Sequence, residues 1–187
     1  GRLNRRGVVT MAVNNAWTLH RPTLWTCVDD PGRFIDTGWK DPGILKIVPV
    51  SHCEKRLRVQ NQDGSFRPSA FKVSQMPGVL FYRRSDHFDH NRFLKGDTIN
   101  WGQDGEHTDS LGIKGKRSVM LAALHLLHYL GFRTVYLIGC DFKMASDRKY
   151  AFSEERTREA IRHNNLLYES LHKRFEALKP HFDQHGF

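Results

Sequence analysis

Cysteine is scarce in this chain, and its spacing excludes most of what cysteine can do. Cys27, Cys53 and Cys140 are odd in number, far apart and free of any C-x-x-C pair, so a disulfide scaffold and a structural zinc site of that type are both out. Two of the three sit in apolar runs, which reads as reduced, buried thiols in a cytosolic protein. Long apolar stretches are also missing. No run approaches the roughly 20 residues that a membrane-spanning helix needs, and no signal peptide is visible at the start. Acidic residues are outnumbered, 20 against 29 Lys and Arg. No RNP, zinc-finger or helix-turn-helix pattern accompanies that imbalance.

The net charge of +9 is the unusual bulk property. Basic residues recur at Arg5-Arg6, at Lys55, Arg56 and Arg58, at Arg83-Arg84, and at Lys114, Lys116 and Arg117. Such a surface concentrates phosphate-bearing partners: nucleotides, nucleic acid or an anionic membrane. A solvated basic face without a dedicated partner is the competing account. With 187 residues, 39% of them hydrophobic, the chain has the size of one domain with a sizeable core. It opens on Gly1 without a methionine and closes on Gly186-Phe187 just after a helix. The expectation is therefore a single domain, truncated at both ends.

Buried strands are expected at residues 8–13, 23–28, 44–50 and 79–82, with Pro49 arguing for a strand edge or end. Asp63-Gly64 marks a turn inside a mixed polar stretch, and Pro31-Gly32 marks another. Residues 83–117 hold Gly, Asp, His and Asn with little periodicity, the profile of a long loop or lid. Residues 118–130 predict a helix closed by Gly131. The apolar run 134–138 then leads into Gly139 and Asp141, which predicts a strand buried on both faces with a glycine and an acid at its carboxyl end. A last helix carries Ile161, Leu167, Leu171, Phe175 and Leu178 as its apolar stripe, with Ser153 as N-cap and Pro180 as its end or kink.

Strands alternating with helices imply an α/β fold, Rossmann-like, with a mostly parallel sheet flanked by helices. Ligands in such sheets bind outside the carboxyl ends of the strands. Asn14-Asn15, Asp29-Asp30 and Gly139 to Asp141 would all fall on that rim. Each has a plainer account as turn or cap chemistry. His125 and His128, three apart in an apolar helix, read as satisfied, partly buried histidines. Asp86, His87, Asp89 and His90 have metal-ligand types in an irregular segment. Trp101 reads as a stacking platform for a sugar or base, or as an anchor for the loop.

Gly139, Cys140, Asp141 and Phe142, followed by Tyr150, Ala151 and Phe152, resemble the signature of bacterial CMP-sialic acid-dependent sialyltransferases. They also resemble the wider superfamily of phage and bacterial proteins related to hydroxymethylpterin pyrophosphokinase. Met11 to Asn14 and Ser118 to Met120 line up with that pattern in order, and His163 matches the position of the family's catalytic histidine. The resemblance implies a nucleotide-sugar-dependent glycosyltransferase without a tightly bound cofactor. Asn14, Asn15, Asp29, Ser118, Gly139 and Asp141 would bind nucleotide and donor. His163 would act as general base on the acceptor hydroxyl, and Tyr150 would donate to the leaving phosphate. Lys143 stands where the family keeps a second tyrosine and would serve as a point charge. The acceptor would be a glycan or a modified nucleic-acid base, and a homo-oligomer fits this picture as well as a monomer. The pyrophosphokinase alternative needs ATP and Mg²⁺ on Asp29, Asp30 and Asp141. A non-catalytic, phage-type DNA-associated module is the third reading.

Overall fold

The computed structural model describes residue 3 and residues 5–85, 88–102, 117–144 and 157–187. The chain is mixed α/β, a parallel sheet plus helices, and divides into two compact units, Gly1–Arg83 and Arg84–Phe187. No helix among the described residues is long and apolar enough to cross a membrane.

In the first unit β1 (Met11–Val13), β2 (Leu24–Thr26) and β3 (Leu45–Pro49) lie side by side. They run parallel, with Val13 opposite Thr26 and Leu24 opposite Leu45. All three residues of β2 are buried, as a central parallel strand with both faces covered requires. Between β2 and β3 the chain makes a tight turn at Pro31–Arg33 and the short helix α1 (Asp36–Lys40). The stretch expected to be merely polar is an antiparallel hairpin of β4 (Arg56–Gln60) and β5 (Phe66–Lys72). Its turn is closed by the Asn61 amide on the Ser65 carbonyl at 2.8 Å, with Gly64 at φ +82°. Asp63 Oδ1 accepts from the Ser65 amide and hydroxyl. The strand β6 (Val79–Ser85) then pairs parallel with β3, Val79 opposite Lys46 and Tyr82 opposite Pro49.

The core of this unit is built on Trp25, which is fully buried. Trp39 lies 4.6 Å away, Trp17 at 5.6 Å, and Phe34 meets its edge at 5.8 Å. Lys46, also fully buried, donates from Nζ to the carbonyls of Asp41 and Pro77, the latter at 2.9 Å. Burial pushes its ammonium down to about 8 despite the neighbouring Asp41, because a charge in an apolar surround is disfavoured.

In the second unit are β7 (Thr98–Asn100), α2 (Val119–Tyr129) and α3 (Arg158–Gln184). The α2 helix ends as the sequence predicts. Gly131, at φ +93°, donates to His128, and Phe132 donates to Leu127, a left-handed stop that satisfies the last carbonyls. Phe88, Phe93, Leu121, Leu124, Leu171 and Leu178 form the buried core, with Phe142, Phe175 and Phe182 around it.

The run 134–142 corrects the sequence expectation. No strand forms there, and Tyr136, Leu137 and Ile138 are 86%, 51% and 76% exposed. Apolar content favours a strand only where a neighbouring backbone is there to pair with it. Here Gly139 at φ +71° and Phe142 at φ +50° take left-handed backbone that a ladder does not accommodate. Pro180 does not end α3, which runs 27 residues with the proline inside it. Both Pro180 and Glu176, whose carbonyl loses its helical donor, are exposed residues. Thr157 caps this helix, its Oγ1 accepting from Ala160 at 3.2 Å. The expected cap, Ser153, lies outside the described residues.

Candidate functional site

Parallel pairing places two of the expected positions together. Val13 ends β1 and Thr26 ends β2, and these residues are register partners. Asn14 and the Asp29-Asp30 pair therefore leave the sheet along the same carboxyl rim of the first unit. Asn14 turns the chain at once, with a left-handed φ of +48°, a conformation that Asn tolerates better than most residues but that still costs free energy. Its carbonyl accepts the Trp25 indole N–H at 2.9 Å. Its side-chain Oδ1 is sealed from solvent without a hydrogen-bond partner among the described residues, as are Thr26 Oγ1 and Trp39 Nε1. Asn15 follows in the same turn, its carbonyl accepting from the Thr18 hydroxyl at 2.8 Å. Buried polar atoms are rarely left unsatisfied. Asn14 follows β1, Thr26 ends β2 and Trp39 lies on α1.

Thr26, Trp17 and Trp39 were not among the sequence candidates. The available signal was small: Thr26 is one of two hydroxyls, with Thr23, in the run before the acids. Gly38 adds to it, because a Cβ there would lie 2.8 Å from Trp17 Cε2. Only glycine lets that ring pack.

The acids beside Asn14 are already engaged. Asp29 pairs with Arg33 at 3.0 Å. Asp30 caps the turn by accepting from the Gly32 amide at 2.9 Å and pairs with Lys55 at 3.0 Å. Burial alone raises the Asp30 carboxyl, but the Gly32 amide, Lys55 and His52 together carry it below the usual range. Both acids are paired with cations at the surface, and such exposed pairs are individually weak. The fully buried Cys27 thiol is driven up by burial and by Asp29 and Asp30, which removes it as a nucleophile.

The remaining expected positions lie in the second unit. Ser118 is the N-cap of α2, its Oγ accepting from the Met120 amide at 3.2 Å. Gly139 turns in open space, with no atom within 4 Å of where a Cβ would sit. Its φ of +71° is backbone that favours glycine. Asp141 and Lys143 are exposed. His163 is exposed on α3 and lines an open hollow with Thr157, Glu159 and Asn164. Tyr150 lies outside the described residues, as do Asp86 and His87 of the His/Asp-rich segment. Asp89, from that segment, caps a turn by accepting from the Asn91 amide at 2.9 Å.

Two further expectations about side chains are decided in this unit. Trp101 is 6% exposed with the guanidinium of Arg84 at 4.3 Å and that of Arg117 at 5.0 Å from its ring. It anchors its segment and offers no open face for stacking. His125 is a core histidine satisfied on one side only: its Nδ1 accepts the Asn100 amide at 2.9 Å, while Nε2 is buried without a hydrogen-bond partner among the described residues.

No family model, no curated protein and no solved structure matches this chain.

Proposed function

We propose that this protein is a nucleotide-dependent transferase of Rossmann-like type, using a nucleotide sugar as donor and holding the nucleotide on the β1–β2 rim of its first unit. The observation that carries the reading is Asn14: a left-handed residue at the carboxyl end of a parallel strand, its Oδ1 sealed and unmatched. Backbone held in a costly conformation at such a rim is characteristic of ligand sites. A base or ribose edge would supply the missing donor once the half-buried Asn14 side chain turns outward to meet it. The net charge of +9 favours a phosphate-bearing ligand over a neutral one.

The chemistry assigned to the second unit follows from residue type. Departure of a nucleotide phosphate needs donors aimed at developing negative charge, a part for Lys143 and Tyr150. Attack by an acceptor hydroxyl needs a base that titrates near neutrality, a part for His163. The acceptor is a glycan or a modified nucleic-acid base. Salt-dependent DNA binding would favour the nucleic-acid acceptor over the glycan.

The test is a thermal-shift panel of nucleotide sugars and ATP, repeated with Asn14→Ala. A donor at about a hundred times its dissociation constant adds roughly 2.7 kcal/mol of stability, which Asn14→Ala should reduce. Donor hydrolysis by Lys143→Ala, Tyr150→Phe and His163→Ala then tests the chemistry. Wild-type turnover in all three, or a panel that shifts nothing, refutes the assignment.

A further inference from the structure

One side chain in the second unit grips the segment that carries Lys143. Asn165, on the second turn of α3, accepts the Met144 amide on Oδ1 at 2.7 Å and donates from Nδ2 to the Met144 carbonyl at 3.0 Å. The neighbouring Asn164 Nδ2 lies 3.4 Å from Met144 Sδ. A side-chain amide that satisfies both backbone groups of one residue copies the pairing of a strand neighbour. It does so for the residue next to Lys143 and from the helical turn next to His163. The Met144 side chain is 3% exposed, so the segment is held by packing as well as by the amide. The upstream run 134–140 has no strand partner among the described residues. The Asn165 grip acts on the backbone after Phe142 together with the burial of Met144 and the packing of Phe142 on Phe175 at 5.4 Å.

We propose that Asn165 is a positioning residue: through Met144 it sets the place of Lys143 relative to the helix that bears His163. The proposal rests on the transferase reading above. The amide type is required. Aspartate accepts the Met144 N–H but cannot donate to its carbonyl, and alanine does neither. A misplacement of about 1 Å at a catalytic group costs on the order of a hundredfold in rate.

The experiment uses the full chain with Asn165→Ala, Asn165→Asp and Asn165→Gln, alongside Lys143→Ala and His163→Ala. It reads donor turnover, thermal stability and amide exchange at Met144. Expected are a ten- to hundredfold fall in kcat for Asn165→Ala and Asn165→Asp, KM for donor within threefold, and a melting temperature lowered by only a few degrees. Met144 exchange should be faster by at least tenfold in Asn165→Ala. Asn165→Gln should recover part of both the rate and the protection. Unchanged Met144 exchange in Asn165→Ala overturns the grip, whatever the activity. Faster exchange with wild-type kcat overturns the positioning role while leaving the grip. Wild-type turnover in Lys143→Ala and His163→Ala, or none in the native chain, overturns the transferase reading and the positioning role with it, and Met144 exchange still decides the grip.

Discussion

Acid should destabilise the second unit chiefly through His125, with His128, also held below its ordinary value by burial, adding in the same direction. The His125 ring is fully buried on α2 and its Nδ1 accepts the Asn100 amide, which requires the neutral imidazole with its proton on Nε2. Burial pushes its pKa down to about 4, with His128 acting in the same direction and the Gly96 backbone opposing. In the unfolded chain the same histidine titrates near 6.5. Between those values the unfolded state binds a proton that the folded state refuses, so stability falls as pH falls through this window. It is complete above about 6.5 and the loss ends near 4. At about 1.4 kcal/mol per pKa unit the full loss is about 3 kcal/mol, a large share of an ordinary domain's stability. Urea titrations at pH 7, 5.5 and 4, followed by far-UV circular dichroism and by amide exchange of residues 121–126, measure it. His125→Gln keeps a carbonyl acceptor for Asn100 and cannot titrate. Its stability should be lower at pH 7 and flatter across the window than that of the native chain. An equal pH slope in the two proteins would refute the account.

Two further outcomes are expected. Ser118→Ala should cost about 1 kcal/mol by removing the α2 cap, whereas Ser118→Asp keeps an acceptor there and should retain most of the native urea midpoint. If Ser118 also touches the nucleotide, Ser118→Asp will lose donor affinity while remaining stable, and unchanged affinity assigns the serine to the cap alone. Gly38→Ala forces a methyl to 2.8 Å from Trp17 Cε2 and should cost about 1–3 kcal/mol as overpacking, with altered tryptophan emission. Native stability and emission in that variant would show that the indole cluster is loosely packed.

Much of the scaffold was legible because local chemistry and tertiary environment agree. β2 and β3 are apolar runs that the sheet buries, and α2 carries both its serine cap and its glycine stop; β6 forms where expected but is not the buried strand expected, with Leu80 and Phe81 51% and 36% exposed and only Tyr82 buried. The hairpin was harder. Arg56, Arg58 and Gln60 alternate with Leu57 and Val59, and only Leu57 is fully buried, so the period-two pattern is overlaid by charge. β1 begins later than its valines suggest, because Val8 and Val9 are 44% and 46% exposed. The 134–142 run shows the limit most clearly. Hydrophobicity states what a segment would bury, and says nothing of whether a neighbouring backbone is there to pair with it. Asn165 was illegible for a related reason: its two hydrogen bonds reach 21 residues back along the chain, and no spacing rule connects such positions.

The candidate residues consequently stand on different footings. Asn14 and Asp29 are brought to one rim by the parallel pairing of Val13 with Thr26, which any sequence forming β1 and β2 in this register would reproduce. Only the strained φ and the unmatched Oδ1 of Asn14 distinguish a site from a mere strand end. The nucleotide reading therefore turns on that side chain, and Asn14→Gly separates its two roles. Glycine adopts φ +48° without strain, so the variant should fold at least as well as the native chain while losing whatever Oδ1 recognises. A glycine variant that keeps full donor affinity would show that Asn14 serves only the turn, and the rim would lose its claim to the nucleotide.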